Sequence, residues 1–254
     1  MNSTKINFED NCRIGYGIGE NILIENGYMR SNKSPHRLIY PQTFDNDLAY
    51  LSGYHLGDGY LENIRKTFKR RGKAGYEVVY ADNDLNQINL INKIIENKFS
   101  FSLDVYKKSN ENLWIGRAAS CKVLHWFLNT KLNLPIGRRE KIEIPKWVLY
   151  KREFLANFMS GFFDADGDVS NTSNHSYKIV RIQLTQKYKE ILLQFKDLLY
   201  SHFNIKPNIS RKWKQNAWML HIWGKKNASK FKEDIGFRNI IKNKKLEGYL
   251  KLNM

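Results

Sequence analysis

Two stretches decide the fold: Leu51-Ser-Gly-Tyr-His-Leu-Gly-Asp-Gly59 and Met159-Ser-Gly-Phe-Phe-Asp-Ala-Asp-Gly167. Each closes an apolar run rich in small residues, beginning at Leu48 in one case and Phe154 in the other, and each ends in Asp-Gly. The pattern predicts a helix stopped by its terminal glycine. Gly53 and Gly57 are four apart, as are Gly161 and Ala165, so each helix carries a stripe with almost no side chain. Glycine inside a helix costs roughly 1 kcal/mol relative to alanine, and close approach of two helix backbones accounts for that expense here.

Working outward, the same plan is written twice. After the first helix come strand-like stretches near 61–71 and 75–82. A helix follows, opened by the N-cap candidate Asp84, with Leu85, Ile88, Ile91 and Ile95 on one face; then strands near 103–108 and 112–119 and a helix near 120–132. After the second come strands near 168–173 and 177–186, a helix near 187–203, strands near 206–213 and 217–223, and a last helix near 225–234. The expected fold is α+β: two similar αββαββα domains related by a pseudo-twofold axis, with antiparallel sheets. The expected division is an appended segment at 1–47, one domain at 48–150 and a second at 151–254. Residues 1–47 are rich in Gly, Asn and Ser and predict a partly irregular segment; their Gly15-Tyr16-Gly17-Ile18-Gly19 run lacks dinucleotide-loop spacing and predicts a plain turn.

Charge narrows the function. The 254 residues carry 42 Lys plus Arg against 25 Asp plus Glu, a net +17. Residues 1–47 net −1, so the remaining 207 carry +18, which asks for an anionic partner, nucleic acid foremost. No apolar run approaches the roughly 18 residues of a membrane span, and no signal peptide opens the chain. Cys12 and Cys121 lie in no ligand spacing, which excludes a disulfide scaffold or structural zinc and suits a reducing intracellular compartment.

If the two helices pack together, Asp58 and Asp166 at their ends are brought close, and two carboxylates in a basic protein need a cation. Mg²⁺ fits, being hard and typically held by one or two carboxylates plus water and phosphate oxygens; Mn²⁺ is its natural substitute. Such a site suits metal-assisted phosphodiester hydrolysis. Asp164, Asp166 and Asp168 alternate like a calcium loop, but Gly167 stands at the wrong loop position, so calcium signalling is excluded.

The two motifs, their spacing and the repeated plan resemble the single-chain, two-motif LAGLIDADG homing endonucleases over residues 48–254. The resemblance implies metal-dependent, site-specific double-strand DNA cleavage, with Asp58 and Asp166 as metal ligands and the preceding carbonyls of Gly57 and Ala165 as further ones. It also implies a lysine near the cleavage site in the tail of each half: Lys141 in the first, and Lys244 in the second with Lys245 close behind. At the variable sixth motif position the first half has Leu56 where the second has Asp164, which is expected as a cap or solvated group rather than a ligand. His55 replaces an aliphatic residue and is expected to face solvent or a neighbouring domain.

Recognition is expected on the sheets, read as DNA-facing. Val180, Ile182 and Leu184 alternate with Arg181, Gln183 and Thr185, and glutamine pairs bidentately with adenine as arginine does with guanine. The same alternation puts Arg65, Thr67, Lys69 and Arg71 together; Arg211 and Lys212 are further DNA contacts, with Trp213 either core or stacking platform. The repeat implies a monomer on a long, imperfectly palindromic duplex. A splicing maturase that binds RNA, or a non-cleaving DNA-binding regulator, are the alternatives on this scaffold. The chain begins without a splicing-type cysteine and ends Leu-Asn-Met, features of a freestanding or intron-encoded enzyme rather than of an intein.

Overall fold

The computed structural model describes residues 14–15, 21–31, 35–62, 75–137, 142–174, 177–212 and 215–252. They divide into two units: Met1–Leu51 with Asp58–Arg139, and Ser52–Gly57 with Glu140–Met254.

In the first unit, strands β1 (Ile14–Gly15), β2 (Asn21–Glu25), β3 (Tyr28–Ser31) and β4 (Arg37–Ile39) form an antiparallel sheet in sequence order. The described part of the appended segment is thus largely strand, while Tyr16, Gly17, Ile18 and Gly19 of the expected turn lie outside the described residues. Asn26 and Gly27, both at positive φ (52° and 76°), make a two-residue turn whose twist matches the flanking strands. Alternation then buries Ile22, Met29 and Leu38 on the inner face.

Helix α1 (Asn46–Asp58) starts where the Asp45 carboxylate accepts the Leu48 N–H at 2.9 Å. Strands β5 (Gly59–Leu61), β6 (Val78–Asp82), β7 (Asp104–Lys107) and β8 (Trp114–Ala118) pair in the order β5-β6-β8-β7. Helix α2 (Leu85–Phe99) crosses one sheet face, with Asp84 as N-cap, its carboxylate accepting from the Asn86 N–H at 3.0 Å, and Ile88, Ile91 and Ile95 buried, as expected. Lys98 near its end reaches back to Asp45 (2.5 Å) and Asp47 (3.5 Å), tying α2 to the start of α1. Helix α3 (Lys122–Trp126) runs into a π-helical turn, Phe127–Lys131. Cys121 ahead of it is fully buried, and burial pushes its thiol up to about 12, so it is no nucleophile at neutral pH. His125 is buried with Nε2 2.9 Å from the Glu62 carbonyl, and burial pulls its pKa down.

In the second unit, a 3₁₀ turn (Lys146–Tyr150) leads into α4 (Arg152–Asp166), then β9 (Gly167–Asn174), β10 (Tyr177–Gln186), α5 (Lys189–Phe203), β11 (Asn208–Arg211), β12 (Trp218–Trp223) and α6 (Gly224–Asp234). The sheet order β9-β10-β12-β11 repeats that of the first unit, strand for strand. Phe158, Phe162, Phe163, Phe195 and Phe231 form one aromatic core. A further helix, α7 (Ile240–Leu252), was not anticipated: its apolar residues form no stripe, and Leu246 alone in it is buried. Residues 52–57 of α1 lie against α4 so closely that a Cβ on Gly53 stands 1.9 Å from the Phe158 carbonyl oxygen, and one on Gly57 stands 2.2 Å from the Ala165 Cβ. The small-residue stripe is thus a packing requirement.

Candidate active site and nucleic-acid interface

The end of α4 gathers polar groups from three elements. Asp164 is fully buried, and its Oδ2 accepts the backbone N–H groups of Arg238 (3.0 Å) and Asn239 (2.9 Å). Asn239 in turn accepts the Lys242 N–H at 3.0 Å, which starts α7. Asp164 is therefore a cap, as expected, but a buried one, and it caps a helix other than its own. His55, also buried, does not face solvent.

Lys242, one turn into α7, donates its ammonium to the carbonyls of Phe163 (3.2 Å), Asp164 and Ala165 (3.4 Å), the last carbonyls before Asp166. A cation at a helix C-terminus meets both the unpaired carbonyls and the negative end of the helix dipole. From the adjoining strand, the Gln186 amide donates to Asp166 Oδ2 at 2.5 Å. Neither group was picked from sequence. Lys244 and Lys245 are exposed on α7, and Lys141 lies outside the described residues.

Asp58 closes α1 as Asp166 closes α4, both half-buried, each followed by a glycine that opens the next strand. The registers match too: Gly59 pairs with Tyr80 and Gly167 with Leu184, so Asp82 holds in the first unit the position Gln186 holds in the second. Asp82 caps its own turn, accepting the Asp84 N–H at 2.8 Å. The halves therefore differ where a motif acid meets its neighbouring strand, amide on one side and carboxylate on the other. Among the described residues no group of three or more His, Cys, Asp or Glu side chains is clustered to hold a metal.

On the sheet, Val180, Ile182 and Leu184 are buried while Arg181, Gln183 and Thr185 face away from the core, as the alternation predicts. Arg181 is held by Ser170 Oγ at 3.1 Å and lies over the Trp223 ring, 5.3 Å from its centroid. Cross-strand from Gln183 is His221, whose Nε2 is 3.0 Å from Ser210 Oγ. Its pKa is pulled down by burial and by the Arg181 charge, leaving it neutral at physiological pH. Arg211 is exposed and Lys212 half-buried at the end of β11. Arg65, Thr67, Lys69, Arg71 and Trp213 fall outside the described residues. Among the described residues no helix is long and apolar enough to cross a membrane.

Residues 153–236 match the family model of the LAGLIDADG-like domain. Among curated proteins the chain is similar to a probable translation initiation factor IF-2 of Methanocaldococcus jannaschii, 27% identical over 216 residues, covering 82% of this chain and 16% of that one. It is also similar to the glutamine–fructose-6-phosphate aminotransferase of the same organism, 27% identical over 219 residues, covering 83% of this chain and 18% of that one. The chain thus spans about a sixth of the length of the curated relatives it matches. Among solved structures it resembles a variant of I-DmoI in complex with its target DNA and manganese, with TM-score 0.53, 18% identity, and coverage of 75% of this chain and 93% of that one. A variant of I-SmaMI matches with TM-score 0.55 at 12% identity, covering 83% and 90%. Taken with the repeated sheet order and the two motif helices, residues 153–236 form a LAGLIDADG-like domain, and the chain carries the two-domain LAGLIDADG fold.

Proposed function

We propose that this protein is a site-specific, metal-dependent double-strand DNA endonuclease. The observation that carries the proposal is the convergence on the end of α4: Asp166, held by Gln186, beside helix-end carbonyls that already draw in the Lys242 ammonium. A helix terminus that attracts a cation, next to a half-buried carboxylate, offers only hard oxygen donors and so fits Mg²⁺ or Mn²⁺ rather than a softer ion. Asp58 and Asp166 are the proposed ligands, with the carbonyls of Gly57 and Ala165 as further ones. The metal, when bound, lowers the pKa of its water and stabilises charge on the phosphate. Gln186 orients the Asp166 carboxylate. Lys242 bonds the carbonyls just before Asp166 while Lys244 is exposed on α7, so Lys242 is the proposed group for steadying phosphate charge beside the Lys244 that the family resemblance implies; Lys141 is the proposed counterpart in the first half.

The curated relatives support the proposal from another direction. A translation factor and a sugar aminotransferase have unrelated activities, yet both match about four fifths of this chain. A segment common to the two owes its sequence to neither activity, as befits a module that spreads between genes.

The direct test is incubation with a randomised duplex library and Mg²⁺. Recovery of one cut family of sequences is expected, with activity retained in Mn²⁺ and lost in EDTA; cleavage undiminished by EDTA refutes the metal role. One chain is expected to bind one long, imperfectly palindromic duplex, because two like units meet an approximately twofold site. Gln183→Ala or Arg181→Ala is expected to relax base preference on one side only, by about 1–3 kcal/mol for a lost bidentate contact. Selection profiles of the variants check this, and equal change on both sides contradicts it.

A further inference from the structure

The outer faces of the two equivalent sheets differ in chemistry. On the β9–β12 sheet the outward row of β10, Arg181, Gln183 and Thr185, is polar and pairs across the strands with Trp223, His221 and Met219. On the β5–β8 sheet the helix side is fixed by Gly116, where an added Cβ meets Ile88 and Leu103 at 3.2 and 3.1 Å. Residues alternating with Gly116 therefore point outward, and cross-strand pairing assembles them into two rows. One runs Tyr60, Val79, Arg117, Asp104 and the other Ala81, Ile115, Tyr106. Most of this face is aliphatic or aromatic, and Tyr60 and Tyr106 are each 44% exposed.

Among the described residues of this face the one cation is bound within the protein. Arg117 is bonded to Glu77, which holds its pKa up, and Asp104 stands directly opposite on the neighbouring strand. In a chain of net +17 these three groups sum to −1. Such a face does not attract a sugar–phosphate backbone by charge, and left in water it keeps apolar surface exposed. Within a duplex, the apolar group available to a sheet in the major groove is the thymine methyl.

Resting on the endonuclease proposal, we infer that the first half reads its side of the duplex through thymine methyl groups packed on Val79, Ala81 and the two tyrosines, with Ile115 buried between them. The second half reads hydrogen-bonding edges with Arg181 and Gln183. The target is thus chemically lopsided as well as asymmetric in sequence.

The test selects the full chain against two randomised duplex libraries, one made with thymidine and one with deoxyuridine in its place, which removes the methyl and leaves the pairing edge. With thymidine, one side of the selected target is expected to be enriched in T·A pairs. With deoxyuridine that preference falls roughly three- to five-fold per methyl, the worth of one buried carbon, and the other side is unchanged. Tyr106→Ser is expected to flatten the methyl-dependent side, and Gln183→Ala the opposite one. Identical preferences in both libraries, or equal loss on both sides, overturn the inference while leaving the endonuclease proposal standing. Retention of no duplex from either library overturns both. Self-association of the free chain that is abolished by Tyr60→Ser assigns the face to a second copy instead, and also overturns it.

Discussion

Asp166→Asn is expected to abolish cleavage of both strands while binding to the duplex survives, and Asp58→Asn to do the same. The substitution is nearly isosteric, so the motif helices keep their shape, but an amide oxygen is a poor ligand for a hard cation. Loss of metal-assisted stabilisation is worth several kcal/mol, a fall of about a thousand-fold or more in rate. Binding is spread over the sheets and loses nothing; removal of a negative charge facing phosphate can even tighten it. Cutting assays in Mg²⁺ beside filter binding in EDTA separate the two effects. Full cleavage by both variants refutes the assignment of the acids.

The second large effect is on stability. Gly53→Ala is expected to destabilise the fold by about 3 kcal/mol, the upper end of overpacking costs, with Tm falling roughly 6–12 °C. Alanine is ordinarily the better helix former, but here its methyl lands 1.9 Å from the Phe158 carbonyl oxygen, and backbone, unlike the tip of a side chain, cannot swing aside. Gly248→Ala provides the contrast: that glycine lies in α7 with nothing within 4 Å of an added Cβ, so about 0.5–1 kcal/mol of stabilisation is expected. Thermal melts of the two variants check the pair. A Gly53→Ala protein as stable as the parent contradicts the close approach.

These two effects also mark what the sequence made legible. Periodicity and Asp-Gly punctuation located both motif helices, and Asp84 was identifiable as an N-cap because a cap is a local device. The Asn26-Gly27 turn is equally local, but the strands it joins, β2 and β3, are only 5 and 4 residues long and give a weak alternation signal. Helix α7 was hidden for a different reason. Ile240, Ile241 and Leu252 are exposed, Gly248 interrupts the helix, and its stability comes from contacts that only the folded chain supplies. Gln186 and Lys242 lie 20 and 76 positions along the chain from Asp166, so nothing in their neighbourhoods signals their destination. Asp164 was half legible, as a cap, but not as one that joins two helices.

That joint has a consequence for the order in which the protein is made. The groups Asp164 grips are 74 and 75 residues farther along the chain, and Lys242 follows them. During synthesis α4 emerges long before these partners exist, so its buried carboxylate waits without its two N–H donors until residues 238 and 239 leave the ribosome. The end of the motif helix is therefore completed only after residues 238–242 have joined it.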